Sequence, residues 1–231
     1  MKTQIKAALA ASMLVVISCT KENSNIQSSG ISYERSTRQD LTGSYNVASV
    51  TIGTQVWMGK NLNVSRYRNG DKIPQVKDSA RWAKLTTGAW CWYNNDSATG
   101  AVYGKLYNWY AINDPRGLAP EGWHIPSDSE WLETATFLET HVGGKMKETG
   151  TKHWFDPNIG ATNSSGFTGL PGGYRSDIGQ FCYITYLGLW WTSTEYNTSV
   201  AWYRRLLCYT PAFDRWRFPK QMGFSVRCIK D

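Results

Sequence analysis

Twelve tryptophans among 231 residues set the strongest constraint on how this chain folds. With the tyrosines and phenylalanines they bring aromatic residues to 14% of the sequence. Each large aromatic side chain buries roughly 150–250 Å² on folding, so the chain can build a substantial core. Disordered chains lack such aromatic area, and the composition therefore excludes that class. Rings at this density serve either packing or a binding face.

The first nineteen residues have the pattern of a bacterial lipoprotein signal. Lys2 and Lys6 give a positive start, residues 8–17 form an apolar stretch, and Ser18 precedes Cys19. The apolar stretch is too short to span a bilayer. We expect cleavage before Cys19, whose thiol then carries acyl chains that anchor the exported protein in the outer membrane or at the cell surface. An ordinary secretory signal with an incidental cysteine is the alternative.

Residues 20–45 predict a flexible tether, because Ser, Thr, Asn, Gln and charged residues dominate and apolar residues are scattered. A coil of that length spans roughly 25–30 Å. From residue 46 to residue 231 the pattern is globular throughout, so we expect a single domain there.

Within residues 46–231 the sequence predicts an α+β domain with two short helices, twisted antiparallel strands and long loops. One helix is expected over residues 103–112. The other begins after the N-cap Ser127, with Glu130 completing a capping box, and ends at Gly143 and Gly144.

Short strands are expected on both sides of these helices. A strand pair turns at Gly53 and Thr54. Further strands are predicted at residues 167–170, 181–190, 199–209 and 224–229. A turn at Pro211 separates the last two.

The basic charge lies at the C-terminal end. Loss of residues 1–19 lowers the formal net charge from +7 to +5, and the last 31 residues contain seven basic residues against Asp214 and Asp231. This mild local excess favours an anionic partner, such as a glycan or a surface protein, and not a nucleic acid.

Aromatic and arginine side chains alternate in the same segment. We expect Trp190, Trp191 and Trp202 to be core residues. The candidate ligand-binding residues surround the predicted turn at Pro211 and are Tyr203, Arg204, Tyr209, Phe213, Arg215, Trp216 and Arg217. Tyr, Trp and Arg dominate binding hot spots, because they combine rigid area with a directed polar group. The alternative is a solvated basic loop whose aromatic rings pack down.

Four cysteines remain after Cys19, namely Cys91, Cys182, Cys208 and Cys228. In an oxidising compartment they allow two disulfides of unknown connectivity, and buried thiols are the alternative. Their spacing matches no metal-binding motif, and we predict no metal centre.

Residues 94–96 and 195–197 carry oxygen ligands of the kind that calcium prefers, without the spacing of a calcium loop. Turn formation is the expected role of both segments, and we predict no cofactor. His124, His141 and His153 fall in no hydrolase pattern, so structural or surface roles are expected for them.

Six blocks resemble one known family in sequence and in order. They are WMGKNL at 57–62, YGKLYNW at 103–109, GWHIPSDSEW at 122–131, GFTGLPGGYR at 166–175, WWTST at 190–194 and GFSVRC at 223–228. The chain thus resembles the Fibrobacter succinogenes major paralogous domain, which occurs in many exported proteins and lipoproteins of Bacteroidetes. Many relatives place a cysteine where this chain has Ala119. The tryptophans within the six blocks are expected to be scaffold residues; they are Trp57, Trp109, Trp123, Trp131, Trp190 and Trp191.

The layout is also similar to that of the formylglycine-generating enzyme and its non-catalytic relatives. That similarity implies a C-type-lectin-like fold and implies no activity. The enzyme's two close C-terminal cysteines are not matched here. Some relatives of the domain look like the variable proteins of diversity-generating retroelements, in which diversified C-terminal residues change the bound target. Residues 203–221 fit that placement.

These observations together predict a non-catalytic lipoprotein that binds a glycan or protein through its C-terminal face. An enzyme related to the formylglycine-generating class is one alternative. A structural component of the cell envelope is the other.

Overall fold

The computed structural model describes residues 48–231. The predicted signal at 1–19, with Cys19, and the predicted tether at 20–45 lie outside the described residues. Within 48–231, no helix has the length and apolar character needed to cross a membrane.

The described residues form an α+β fold of short elements, as expected. The helices are α1 (Ser79–Ala83), α2 (Ser97–Tyr103), α3 (Trp109–Ile112), α4 (Asp128–Leu138) and α5 (Val142–Met146), with a 3-10 turn at Tyr93–Asn95. The strands are β1 (Ser49–Ile52), β2 (Gln55–Met58), β3 (Trp90–Cys91), β4 (Leu106–Tyr107), β5 (Trp123–His124), β6 (Tyr174–Arg175), β7 (Phe181–Cys182), β8 (Leu187–Glu195), β9 (Val200–Leu207), β10 (Phe213–Pro219) and β11 (Ile229–Lys230).

Two sheets organise the domain. One has the strand order β1-β2-β11-β5 and so joins the first and last strands of the described chain. The other has the order β10-β9-β8 and contains the longest strands. All the pairings within these sheets are antiparallel.

Two local predictions are confirmed. The β1–β2 hairpin turns at Gly53 and Thr54, with Ile52 paired to Gln55. Helix α4 begins after Ser127, whose side chain accepts from the Glu130 amide while the Glu130 carboxylate accepts from the Ser127 amide. A capping box needs only residues three apart, so sequence alone suffices to predict it.

The expected count of two helices is wrong, because the described residues contain five. The helix predicted over residues 103–112 is divided between α2, β4 and α3. Gly104 ends α2 with a φ of +80°, a conformation that favours glycine. The prediction that Gly143 and Gly144 end α4 is wrong, because α4 ends at Leu138 and both glycines lie inside α5.

The strand predictions fail where pairing is sparse. Residues 167–170 and 224–229 form mainly isolated bridges, such as Tyr107 with Phe224 and Lys147 with Gly169. Strand β10 is not among the predicted strands, because Pro211 indicates a turn in this part of the sequence.

Most tryptophans are scaffold, as the sequence predicts. The six within the family blocks are all buried: Trp57, Trp109, Trp123, Trp131, Trp190 and Trp191. They divide between two core clusters, one around Phe224 and the other around Phe167. Trp57 and Trp131 pack together in the second cluster, with ring centroids 4.4 Å apart and ring planes tilted by 45°.

Indole N–H groups bind backbone carbonyls that are distant in sequence. The bonds run from Trp82 to Gln221 at 2.8 Å, from Trp90 to Ile73 at 2.9 Å, from Trp109 to Thr192 at 3.0 Å, from Trp154 to Gly169 at 2.9 Å and from Trp191 to Tyr107 at 2.9 Å. Long loops carry many carbonyls that no helix or sheet ladder satisfies. The buried indoles satisfy some of them and fix the loops to the core.

Buried cations act in the same way. The Lys147 ammonium donates to the carbonyls of Ile159, Leu207 and Thr210 at 2.8, 2.9 and 3.1 Å. Burial lowers the pKa of Lys147 to about 8. The Arg175 guanidinium lies 4.5 Å from the Trp82 ring and donates to three more carbonyls, those of Val76, Lys77 and Gly179.

We expect Trp90→Phe to lower the free energy of unfolding by about 1–3 kcal/mol more than Trp131→Phe. Both rings are buried. The Trp90 indole bonds the buried Ile73 carbonyl, whereas the Trp131 indole N–H has no partner among residues 48–231. Urea unfolding of the two variants measures the difference, and equal losses would contradict a role for the indole hydrogen bond.

Candidate ligand-binding face

Strand β10 forms the edge of the three-stranded sheet. It pairs on one side with β9, with Arg217 opposite Trp202 and Arg215 opposite Arg204. On its other side no strand of the described chain pairs with it. The C-terminal candidate residues therefore lie on an ordered strand and not on a loop.

Alternation along the strands divides the candidate residues between two sides of the sheet. We call one side the Arg215 face; it is formed by Trp202, Arg204, Phe213, Arg215 and Arg217. The opposite side, the Trp216 face, is formed by Tyr203, Arg205, Asp214, Trp216 and Phe218. Arg215 and Arg217 are thus brought together, while Trp216 points away from them.

Guanidinium groups stack on aromatic rings along the Arg215 face. The Arg215 Cζ lies 3.4 Å from the centre of the Trp202 ring. The Arg217 Cζ lies 4.4 Å from the Tyr196 ring and 5.8 Å from the Trp202 ring. The two rings meet edge to face, with centroids 5.0 Å apart. Both arginines are exposed and Trp202 is half-buried, so the guanidinium groups lie on the solvent side.

Asp128 connects this face to helix α4. Its carboxylate accepts from Arg204 at 2.8 Å and from Arg215 at 2.8 Å. The Arg204 side chain is only 5% exposed and that of Arg215 is 43% exposed. One carboxylate at the start of α4 therefore neutralises a buried arginine and orients an exposed one.

The Arg217 guanidinium differs from that of Arg215. Within residues 48–231 it stacks on Tyr196 and Trp202 and forms no ion pair with a carboxylate. Its N–H donors are therefore available to an acceptor from outside.

The Trp216 face presents an exposed ring beside an ion pair. Trp216 is 55% exposed. The Arg205 guanidinium lies 5.8 Å from its ring and pairs with Asp214 at 2.6 Å. Phe218 stacks on Tyr203 with centroids 5.4 Å apart.

Two candidate residues are buried, although each lies on one of these two faces of the sheet. Tyr203 is 2% exposed and Arg204 is 4% exposed. Tyr203 packs against Phe224, and Arg204 bonds Asp128, so both are parts of the core. Phe213 is half-buried against Trp131.

Tyr209 is exposed but lies beyond the end of β9. Trp202, which was expected in the core, is half-buried and carries the arginine stack instead. Neither Tyr196 nor Asp128 is among the predicted binding residues. The pairing of β9 with β10 brings Arg217 to Tyr196, and the packing of α4 beside β9 brings Asp128 to Arg204, so no local signal marks either residue.

Of the two states expected for the cysteines, disulfides or buried thiols, the structure has the second. Cys91, Cys182, Cys208 and Cys228 are all present as buried thiols. Burial raises the pKa of Cys91 and of Cys228 to about 12. Such thiols stay protonated at neutral pH and are poor nucleophiles.

The oxygen-rich segments considered for calcium have local roles. Asp96 caps α2 by accepting from Ala98 and Thr99. Glu195 pairs with Lys220, and Asn197 accepts from the amides of Ser199 and Val200. Within residues 48–231 no group of three His, Cys, Asp or Glu side chains could hold a metal ion.

His124 lies between two carboxylates. Its ring nitrogens lie 2.7 Å from Asp231 and 2.9 Å from Glu130. Partial burial lowers the pKa of His124, but the hydrogen bonds to Glu130 and Asp231 outweigh it, so that the pKa is raised overall. The cluster joins α4 to the last residues of the described chain.

The model of the Fibrobacter succinogenes major domain family matches residues 50–230. The chain belongs to this family, as the six sequence blocks predict. Neither the comparison with curated proteins nor that with solved structures returned a significant match.

We expect Asp128→Ala to lower the free energy of unfolding by about 3 kcal/mol, because it leaves the buried Arg204 without its carboxylate. Asp71→Ala is the control, since its pair with Arg116 is exposed to solvent and contributes little to stability. Denaturant unfolding measures both variants. A loss at Asp128 no larger than that at Asp71 would contradict the anchoring role.

Proposed function

We propose that this protein is a non-catalytic lipoprotein that binds a glycan or protein ligand through the Arg215 face. The observation that carries the proposal is the exposed stack of Arg215 and Arg217 on Trp202 and Tyr196. Stacking holds the two guanidinium groups in place before any ligand arrives, so little side-chain entropy is lost on binding.

The arrangement favours a ligand with anionic groups. Arg215 and Arg217 are exposed and lie over the half-buried Trp202 ring, so a ligand meets charge before it meets that ring. A carboxylate or sulfate can accept two parallel hydrogen bonds from Arg217. The basic excess of the C-terminal segment acts in the same direction.

Export and lipid attachment at Cys19 are part of the proposal and rest on the pattern of residues 1–19. Attachment would hold the binding domain at the outer membrane or cell surface. The high pKa values of the buried thiols support a non-catalytic role over a cysteine-based enzyme.

The resemblance to lectin-like relatives gives the proposal its finer form. A C-type-lectin-like fold is compatible with the short elements and long loops of this domain. In the variable proteins of diversity-generating retroelements, the diversified segment would correspond to residues 203–221, which include β10.

We expect Arg217→Ala to reduce ligand capture about tenfold, which is a typical cost for a binding hot spot. The assay applies full-length protein in a mild detergent to arrays of neutral and acidic glycans and of acidic proteins. Arg81→Ala is the matched control, because Arg81 is also exposed but lies on α1.

Capture by Arg217→Ala equal to that by the parent protein would contradict the proposed face. Trp216→Ala tests the opposite side of the sheet, since Trp216 is exposed there. A loss confined to Trp216→Ala would move the site to the Trp216 face.

A further inference from the structure

We infer that the free edge of β10 binds an extended acidic peptide as an added β-strand. The inference rests on the proposed function and specifies its ligand. It concerns the seven residues Phe213–Pro219, which form the outer strand of the β10-β9-β8 sheet.

The register of β9 and β10 shows which backbone groups are available. The Lys220 amide donates to the Ser199 carbonyl, so Pro219 and Val200 form a pair without mutual hydrogen bonds. Antiparallel pairs alternate between the two types. Arg217 opposite Trp202 and Arg215 opposite Arg204 are therefore also pairs without mutual hydrogen bonds.

In such pairs the N–H and C=O groups point away from the partner strand. Arg215 and Arg217 consequently direct their backbone donors and acceptors to the open edge. Within residues 48–231 no backbone group occupies these positions. Carbonyls that precede β10 are already bonded: that of Cys208 accepts from the Ile159 amide, and that of Pro211 accepts from the Gly144 amide. These backbone contacts end before β10 begins at Phe213.

The side chains along the edge specify the added strand. A strand beside β10 alternates its side chains between the Arg215 face and the Trp216 face. Acidic side chains on the first face would meet Arg215 and Arg217 as cross-strand partners. Apolar side chains on the second face would meet the exposed rings of Trp216 and Phe218. The matching sequence is therefore an alternation of acidic and apolar residues.

A second copy of this chain fits the edge poorly. An antiparallel pair of β10 strands centred on Trp216 would place Arg215 opposite the Arg217 of the other copy. Like charges in directly opposed positions destabilise a sheet. Charged edge residues also protect a sheet from self-association, which is a common device at exposed edges.

The test measures binding of labelled seven-residue peptides to full-length protein in detergent by fluorescence polarisation. The probe alternates glutamate with valine. One control replaces glutamate with lysine. The other keeps the acidic sequence but carries N-methyl groups on the glutamate residues, whose N–H groups would face β10, so it removes the donors of that strand edge and keeps the charge.

We expect the acidic peptide to bind at least about tenfold more tightly than either control, since both charge and backbone pairing contribute. Arg217→Gln should weaken binding about tenfold by removing one charge. Arg217→Pro should weaken it further, because it also removes the outward N–H. Proline is tolerated where the N–H of an edge strand faces solvent.

Equal binding of the acidic peptide and its N-methylated form would overturn strand addition, and so would equal binding to Arg217→Gln and Arg217→Pro. If acidic glycans bind through Arg217 and no peptide does, the proposed function stands and this inference is wrong. If neither class of ligand depends on Arg217, both are wrong. A dimer formed by the parent protein through β10 would also overturn the inference.

Discussion

The fold depends on buried N–H donors that hold loop carbonyls against an aromatic core. Helices and sheet ladders normally satisfy backbone carbonyls, but here most elements are between two and five residues long. Indoles such as Trp90 and cations such as Lys147 and Arg175 take over that task. The abundance of tryptophan follows from it, because an indole buries a large apolar surface and still donates one hydrogen bond.

This scaffold explains why one strand can remain open. Strands β8 and β9 are held between the two aromatic clusters, which contain Trp191 and Tyr203 on one side and Trp190 and Leu206 on the other. Strand β10 pairs with β9, and its residues Phe213 and Phe218 pack against the clusters. Arg215, Trp216 and Arg217 lie between these two contacts and remain exposed. Asp128 fixes the orientation of Arg215 from the start of α4. Rigidity in the core thus supports an exposed edge whose groups are already positioned for a ligand.

The sequence predicts the structure correctly where the signal is local. The capping box of Ser127 and Glu130 and the β1–β2 turn each depend on adjacent residues, and the family blocks identified the buried tryptophans. The sequence does not predict β10, because Pro211 indicates a turn and only the four residues from Arg215 to Phe218 alternate polar with apolar side chains. The strand exists through its pairing with β9.

The same limit applies to the candidate site. Burial of Tyr203 and Arg204, the position of Tyr196 and the bond from Arg215 to Asp128 all depend on contacts between distant segments. The segment that carries the site could be predicted, since its charge and aromatic content are properties of composition. The division of that segment into two faces could not be, because it depends on a register that no single strand encodes.

If a rigid scaffold presents an open strand edge at β10, native-state hydrogen exchange observed by NMR will distinguish the two sides of that strand. We expect slow exchange for the amides of Asp214, Trp216 and Phe218, which face β9, and exchange at least about tenfold faster for those of Arg215 and Arg217. Equal protection of all five amides would mean that the edge is covered. Equally fast exchange of all five would mean that β10 is not held against β9, and either result would rule out an ordered open edge.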